Sequence, residues 1–203
     1  MNYKSETIAA YDAYPDRFDQ EFEQHMLRHN SEHIRRFLAA LRGPRVLDLG
    51  SGPGNHAAAF VHAGCDVLCG DLSVAMIEQC RKKGLEAEVL DLETFELGRR
   101  FNGVWANACL LHLPKKQIPG VLDRIRRHLE PTGVFACGVK EGEGERFESD
   151  VDYPDTQRFF SRYTDEEFRA LLAPTFLVEH FERTSSPSGR TVFLKYLAHP
   201  RHS

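Results

Sequence analysis

The chain has 203 residues, which is enough for a single domain with a sizeable hydrophobic core. Hydrophobic residues make up 41% and charged residues 28%, a balance typical of a globular protein rather than a disordered one. The net charge of −4 disfavours a nucleic-acid-binding surface, which is usually basic. No apolar run is long enough to cross a bilayer, so we expect no membrane partner.

The cysteines indicate a reducing compartment. There are five, an odd number, and they are scattered without a C-x-x-C pair: Cys65, Cys69, Cys80, Cys109 and Cys137. Because the N-terminus also lacks the hydrophobic segment of a signal peptide, we predict a cytoplasmic protein. Cys109 and His112 have a metal-like spacing, but two ligands do not make a zinc site, so we predict no metal.

The first 43 residues are predicted to form a helical extension that precedes the main domain at residues 44–203. Side chains suited to a buried helix face recur there at roughly helical spacing: Phe22, Met26, His33, Ile34, Phe37, Leu38 and Leu41. A fresh helix is predicted to begin at Asn30 or Ser31 and to end near Gly43.

A strand, a glycine-rich loop and a helix follow in direct succession. The apolar run from Arg45 to Leu49 predicts a buried strand, glycines stand at positions 50, 52 and 54, and residues 55–63 predict a helix. Glycine lets the backbone turn sharply and lie close to a ligand, so this unit indicates the nucleotide-binding crevice of an α/β sheet. A dinucleotide fingerprint would need its third glycine at Asn55, and no Gly-Lys-Ser/Thr of a P-loop follows.

Strands and helices then alternate along the chain. Strands are predicted near 66–70, 86–90, 101–107 and 133–139, and helices near 54–63, 73–83 and 117–129, with a short turn or helix near 92–98. This alternation predicts the α/β class, with a mostly parallel sheet covered by helices on both faces.

The pattern changes after the fifth strand. Residues 140–145 form a polar, flexible stretch, and Thr164 to Glu167 resembles a capping box that opens a helix. Two further strands are predicted at 176–181 and 191–197, joined as a hairpin by residues 185–189.

The pattern D-x-G-x-G-x-G from Asp48 to Gly54 closely resembles motif I of the class I S-adenosylmethionine-dependent methyltransferases. The resemblance extends roughly from Arg45 to the C-terminus. It implies a Rossmann-like sheet of seven strands with the last strand antiparallel. It also implies that S-adenosyl-L-methionine is the cofactor and that S-adenosyl-L-homocysteine is its product. The reaction implied is methyl transfer, by in-line displacement, to an oxygen, nitrogen or sulfur atom of a small molecule.

The resemblance further implies a set of cofactor-binding residues. In the family, the loop holds the methionine part, and the acid at Asp48 helps to orient its amino group. Asp71 lies about 20 residues past the first glycine, the usual offset for an acid that grips ribose hydroxyls, but Asp71 or Ser73 could instead cap the next helix. The full set is Tyr11, Asp48, Gly50, Ser51, Gly52, Gly54, Asn55, His56, Asp71, Leu72, Met76, Asp91, Leu92, Asn107, Ala108 and Cys109.

One candidate for catalysis follows the fourth strand. His112 could deprotonate a hydroxyl, thiol or amine as a general base, because histidine titrates near neutrality. The alternative is that it packs or caps beside Pro114. A base is needed only if the acceptor is protonated at the working pH.

The N-terminal extension is a second source of site residues, because in many relatives this segment folds over the site as a lid. Tyr11, Tyr14 and Phe18 share one helical face, which also fits a core stripe, and Pro15 interrupts that helix. We therefore predict Tyr14 as a substrate contact.

The region after the fifth strand is the third source. A loop that follows a strand's carboxyl end should overhang the crevice, so Lys140 and Glu141 are predicted substrate contacts, together with Arg158 and Tyr163. Arg158 and Arg162 share a helical spacing and could bind an anionic substrate or pair with nearby acids.

Three other functions are open from the sequence. The same fold could act on RNA or protein, but the base-methylating subclass has an aromatic residue after two prolines where this chain has Ala108 to Leu110. The pocket could serve a non-catalytic binding module, or a nicotinamide dehydrogenase, which Asn55 disfavours. The sequence does not indicate an oligomeric state or the identity of the acceptor.

Overall fold

The computed structural model describes residues 2–20, 31–150, 153–186 and 189–201. Phe22 and Met26, two of the positions predicted for the N-terminal helices, lie outside these residues. The strands within them are β1 (Arg45–Leu49), β2 (Asp66–Asp71), β3 (Glu86–Val89), β4 (Phe101–Asn107), β5 (Leu129–Lys140), β6 (Glu145–Asp150), β7 (Tyr153–Ser161), β8 (Phe176–Ser185) and β9 (Val192–Pro200).

The central sheet has seven strands in the order β3-β2-β1-β4-β5-β9-β8. The strands from β1 to β5 are parallel, whereas β9 runs antiparallel to its neighbours β5 and β8. The predicted fold class, including the antiparallel last strand, is confirmed. The chain extends from β1 to β3 on one side and from β4 onward on the other, which opens a crevice at the carboxyl ends of the strands.

Helices cover both faces of this sheet. They are α1 (Tyr3–Ala13), α2 (Ser31–Ala40), α3 (Asn55–His62), α4 (Val74–Lys82), α5 (Ile118–His128) and α6 (Asp165–Leu172), with 3-10 turns at Leu110–His112 and Lys115–Gln117. Because successive side chains of a strand point to opposite faces, Val46 packs in one core cluster with Phe37 and Phe60, and Leu47 packs in the other with Leu122.

The N-terminal extension divides into two parts. α1 ends at Ala13, and residues 15–20 are again helical, so the predicted interruption at Pro15 is confirmed. α2 is described from Ser31 to Ala40, and Asn30, the other predicted start, lies outside the described residues. α1 lies over the carboxyl ends of the strands, whereas α2 packs on one face of the sheet.

A glycine in β4 allows α2 to approach the sheet. A Cβ added to Gly103 would lie 2.6 Å from Cζ of Phe37 and 2.5 Å from Cδ2 of Leu41, so any larger residue would push the helix away. Phe37 is fully buried and also contacts the ring of Trp105. α2 is therefore part of the main hydrophobic core.

A two-stranded antiparallel ribbon, β6 with β7, was not predicted. Phe147 and Phe159 pair across it. The helical spacing of Arg158 and Arg162 was misleading, because Arg158 lies within β7 and Arg162 directly follows it. A separation of four residues places two side chains on the same side of a strand as well as of a helix, so the spacing alone could not distinguish them.

The boundaries of other elements also differ from the prediction. β5 continues through Lys140, and the polar stretch after it turns into β6 at Gly142 and Gly144, whose φ angles are 135° and 79°. Residues 92–94 form a turn, which is one of the two possibilities predicted for 92–98. The predicted hairpin of β8 and β9 is confirmed, with β8 extending to Ser185. Among the described residues, no helix has the length and apolar character needed to cross a membrane.

Candidate active site

A cavity of 340 Å³ lies at the carboxyl ends of β1, β2 and β4, beneath α1. Its volume is within the range of about 300–1,000 Å³ that is usual for small-molecule sites. Predicted site residues that line it are Tyr11, Gly50, Ser51, Gly52, Asn55, His56, Asp71, Leu72, Met76, Asp91, Leu92, Asn107, Ala108, Cys109 and His112. The structure thus brings together residues that are far apart in the sequence.

The glycine loop forms one wall of the cavity. Gly50, Gly52 and Gly54 have φ angles of 62°, 53° and 83°, in the left-handed region that favours glycine. A Cβ at Gly50 would lie 2.2 Å from Cβ of Cys109, so the loop packs directly against the segment after β4. Gly54 is the N-cap residue of α3 and lies behind the lining, where it contacts Leu85 and Cys80.

Asp48 lies beneath the loop and outside the cavity lining. It is 1% exposed, and its Oδ2 has no hydrogen-bond partner within the described ranges. Burial raises the pKa of this carboxyl well above its usual range, nearby Cys80 and Asp71 add to the increase, and a hydrogen bond from the Ala57 amide opposes it. Asp48 is therefore buried next to the glycine loop and does not reach the cavity itself.

Asp71 connects the glycine loop to the next strand. Its Oδ2 accepts a hydrogen bond from the Gly52 amide at 2.9 Å, and its Oδ1 accepts one from the Ser73 amide at 2.9 Å. The cap of α4 is Ser73, whose hydroxyl oxygen accepts from the Met76 amide. Burial raises the pKa of Asp71, while the amides of Ser73, Gly52 and Leu72 hold it down. Asp71 is therefore a cavity-lining carboxylate and does not cap the helix.

α1 is held against the far end of the cavity by charged groups. The ammonium of Lys4 lies 2.7 Å from Oδ2 of Asp91 and 3.3 Å from Oε2 of Glu93. The hydroxyl of Tyr3 donates a hydrogen bond to Glu93 as well. Asp91, one of the predicted cofactor-binding residues, therefore already has a partner from the N-terminal helix.

Further hydrogen bonds hold the N-terminal segment along the mouth of the cavity. The Ser73 hydroxyl donates to Oδ1 of Asp12 at 2.5 Å, and the Phe159 amide donates to Oγ1 of Thr7 at 3.0 Å. Lys83 pairs with Asp19 at 2.5 Å. These contacts connect α1 and residues 15–20 to α4 and to the β6–β7 ribbon, which closes the cavity on that side.

His112 and Tyr11 form a dyad at the other end. The Tyr11 hydroxyl lies 2.8 Å from Nε2 of His112, and Nδ1 of His112 lies 2.7 Å from the carbonyl oxygen of Phe159. A carbonyl only accepts, so Nδ1 carries the proton and Nε2 accepts from Tyr11. Burial lowers the pKa of His112 to about 3, and the charges of Arg158 and Lys140 act in the same direction. The imidazole is therefore neutral at neutral pH.

The segment after β4 has an unusual backbone conformation. Ala108 has a φ of 57°, the left-handed region that non-glycine residues rarely adopt. Its amide donates to the carbonyl oxygen of Gly138 at 2.9 Å, and the next residue, Cys109, packs against Gly50. Strain of this kind is held by its surroundings and is frequent at binding sites.

The predicted substrate contacts are outside the cavity lining. Tyr14 packs beside Phe18 and Met76. Lys140 lies 3.3 Å over the ring of Phe160, and Glu141 pairs with Arg183 at 2.5 Å. Neither is directed at the cavity in this conformation.

The other two predicted substrate contacts, Tyr163 and Arg158, also lie outside the cavity lining and contact neighbouring side chains. Tyr163 is fully buried and packs against the ring of Phe168. The guanidinium of Arg158 stacks 5.5 Å from the ring centroid of Tyr11, with Nη1 at 3.5 Å from its hydroxyl. Arg158 thus does not line the cavity but contacts Tyr11, a member of the dyad that does.

Several lining residues were not predicted: Tyr3, Lys4, Thr7, Ile8, Pro53, Ser73, Leu90, Leu113, Phe193 and Lys195. Two of the four from α1 could have been found, because Tyr3 and Thr7 precede the predicted Tyr11 at a spacing of four on one helical face. Phe193 and Lys195 belong to β9, and the sequence gives no local signal that this late strand reaches the cavity.

Comparison with known proteins agrees with this arrangement. Residues 46–133 match the family model described as a methyltransferase domain. The chain is 27% identical over 151 residues to a malonyl-[acyl-carrier protein] O-methyltransferase of Enterobacter lignolyticus, covering 70% of this chain and 59% of that protein. The chain therefore spans less than two thirds of the length of this relative.

Solved structures share the fold. A 1,6-didemethyltoxoflavin-N1-methyltransferase of Burkholderia thailandensis, solved with bound 1,6-didemethyltoxoflavin and S-adenosylhomocysteine, has a TM-score of 0.79 at 22% identity, covering 98% of this chain and 89% of that one. The CcbJ methyltransferase of Streptomyces caelestis has a TM-score of 0.67 at 17% identity, covering 85% and 90%. Residues 46–133, less than half of the chain but including the glycine loop and the acid at the end of β2, are therefore similar to a methyltransferase domain, and the chain shares the fold of these solved structures.

Proposed function

We propose that the protein transfers the methyl group of S-adenosyl-L-methionine to an oxygen, nitrogen or sulfur atom of a small molecule. The observation that carries this proposal is the hydrogen bond from the Gly52 amide to Asp71 at 2.9 Å. It joins the glycine loop and the ribose-binding acid in one cavity, as binding of an adenosyl amino acid requires. The methyltransferases among the relatives support the same reaction.

The residues of the cavity fit the cofactor. Gly50 lets the loop pack directly on Cys109, where a Cβ would clash, and this close packing shapes the wall against which the methionine part would lie. The carboxylate of Asp71 would accept both ribose hydroxyls, while Leu72 and Met76 would flank the adenosine. We assign the adenine end to Asp91 and Leu92, and the loop residues Ser51, Asn55 and His56 to the methionine end.

The dyad of Tyr11 and His112 is the proposed route for a proton. When bound, S-adenosyl-L-methionine supplies an activated methyl group, which the acceptor takes by in-line displacement. A neutral His112 has its Nε2 lone pair directed at the Tyr11 hydroxyl. The hydroxyl oxygen can accept a proton from the acceptor while it passes its own proton to Nε2. His112 is therefore the proposed base through Tyr11, and burial, which lowers its pKa to about 3, makes it a weaker base than the histidine titrating near neutrality that the sequence predicted.

The two parts of the N-terminal extension have different proposed roles. α1 and residues 15–20 form the lid, since α1 residues line the cavity and its hydrogen bonds close the mouth. We assign α2 to the main domain, because Phe37 is buried in the core of the sheet. The main domain would then include α2 as well as the predicted residues 44–203. We also expect the enzyme to act in the cytoplasm, as the scattered cysteines predict.

The cofactor assignment is tested by calorimetry with S-adenosyl-L-homocysteine. We expect Asp71→Asn to weaken binding by about tenfold to a hundredfold, because hydrogen bonds to a charged group contribute about 1.5–3 kcal/mol. Asp66→Asn, at the exposed start of the same strand, is the matched control and should leave the affinity within about twofold. A wild-type protein that does not bind this compound would contradict the proposed function.

A further inference from the structure

Aspartates of the lid accept hydrogen bonds from residues along the whole length of α4. In addition to the bond from Ser73, which precedes the first residue of this helix, the side-chain amide of Gln79 donates to Oδ1 of Asp16 at 2.6 Å. The ammonium of Lys83, which follows the last residue of the helix, donates to Oδ1 of Asp19 at 2.5 Å. The lid is therefore attached to α4 at the start, in the middle and at the end.

Lys83 differs from the other two donors because it also bonds to the glycine loop. Its ammonium donates to the carbonyl oxygen of Pro53 at 2.8 Å and to the side-chain oxygen of Asn55. An ammonium has three N–H groups, which match the three acceptors in Asp19, Pro53 and Asn55. The side-chain amide of Asn55 also donates to the backbone carbonyl oxygen of Asp19 at 3.1 Å. Lys83 thus joins the lid to the loop.

The loop residues that Lys83 holds line the cavity, whereas Lys83 itself does not. Pro53 and Asn55 are lining residues on either side of Gly54, whose φ of 83° turns the loop into α3. The side chains of Lys83 and Asp19 are 26% and 29% exposed. A single ion pair near solvent adds little to stability, but this ammonium connects two segments that both enclose the cavity. It can therefore act on cofactor binding without touching the cofactor.

We propose that Lys83 is a positioning residue for the cofactor, which couples closure of the lid to the binding conformation of the glycine loop. The proposal rests on the methyltransferase function assigned above. When the lid is closed, Asp19 holds the ammonium against Pro53 and Asn55. When the lid opens, the ammonium loses its anionic partner. Because such coupling is reciprocal, a closed lid raises the affinity of the loop for the cofactor, and a bound cofactor stabilises the closed lid.

The test is a double-mutant cycle read out by the affinity for S-adenosyl-L-homocysteine. Calorimetry compares the wild type with Lys83→Met, Asp19→Ala and the double variant. We expect Lys83→Met to weaken binding by about tenfold, and Asp19→Ala by about threefold because it removes only the bond to the lid side chain. In the Lys83→Met background, Asp19→Ala should have no further effect, since the connection is already broken.

Matched controls and a second measurement separate coupling from a general loss of stability. Lys82→Met removes an exposed lysine from the same end of α4, and Asp66→Ala removes an exposed acid from the start of β2. Both should bind within about twofold of wild type. In hydrogen–deuterium exchange, saturating S-adenosyl-L-homocysteine should slow exchange in residues 16–20 of the wild type, and this protection should be reduced in Lys83→Met.

The outcomes separate this inference from the proposed function. A wild-type protein that does not bind S-adenosyl-L-homocysteine overturns the function and this inference with it. Normal binding by the wild type, with Asp19→Ala either harmless or equally harmful in both backgrounds, overturns the coupling alone. A Lys83→Met protein that melts at a lower temperature but binds as the wild type does would assign the lysine a structural role and also overturn the inference.

Discussion

Individual side chains in this site have their chemistry set by burial and by one or two fixed partners. His112 is the clearest example, because the Phe159 carbonyl determines which nitrogen carries the proton and Tyr11 occupies the other nitrogen. The sequence identified His112 only as a histidine after the fourth strand. Its partners come from residues 101 positions before it and 47 positions after it, which no local pattern reveals.

The state of His112 can be measured by imidazole nitrogen NMR. We expect the proton on Nδ1 and no titration until the pH approaches about 3, since burial lowers the pKa to that value. Tyr11→Phe removes the hydrogen bond that favours the neutral form, so it should raise the pKa by about 0.7 unit, the equivalent of a bond worth about 1 kcal/mol. Tyr14→Phe is the matched control. A proton on Nε2 in the wild type would refute the assignment.

At the scale of elements, α1 and α2 behave as different units although they are close in sequence. α1 contacts the site through polar groups such as Lys4 and Thr7, at the open edge of the sheet. α2 buries Phe37 against Gly103 on the closed face. Elements with few buried apolar contacts open more readily, so we expect α1 rather than α2 to move when a ligand enters.

Hydrogen–deuterium exchange tests this division. We expect S-adenosyl-L-homocysteine to slow amide exchange in α1 by about tenfold or more, because a bound ligand stabilises the closed lid, and to leave α2 nearly unchanged. Lys4→Met, which removes the pairing with Asp91 and Glu93, should reduce the protection, whereas Lys82→Met at an exposed position should not. Equal protection of both helices would show that the extension acts as one unit.

The elements also show what the sequence could predict. The parallel strands and their helices carry local signals, such as the apolar run before Gly50, and these predictions are confirmed. The β6–β7 ribbon depends on pairing between Phe147 and Phe159, which is not visible in a local window. In the same way, Lys195 enters the cavity only because β9 inserts between β5 and β8. Both features depend on pairing between strands that are far apart in the sequence or that lack a local signal.

For the molecule as a whole, stability depends on buried groups that must stay neutral. His33 is fully buried, and neither of its ring nitrogens has a hydrogen-bond partner in the described part of the chain. Burial lowers its pKa to about 3, and the charges of Lys195, His56 and His180 act in the same direction. In the unfolded chain its pKa is near 6.5, so only the unfolded state takes up a proton between these values.

The contribution of His33 to stability is therefore present above pH 6.5 and is lost as the pH falls from 6.5 toward 3. His33→Phe removes the titrating group and keeps an aromatic ring beside Trp105. We expect this variant to gain stability relative to wild type by about 1.4 kcal/mol for each pH unit below 6.5. The raised pKa values of Asp48 and Asp71 affect both proteins equally and cancel in the difference. Urea unfolding at pH 7.5, 6.0 and 5.0 measures it, and a difference independent of pH would show that His33 has the same pKa in the folded and unfolded protein, contrary to this prediction.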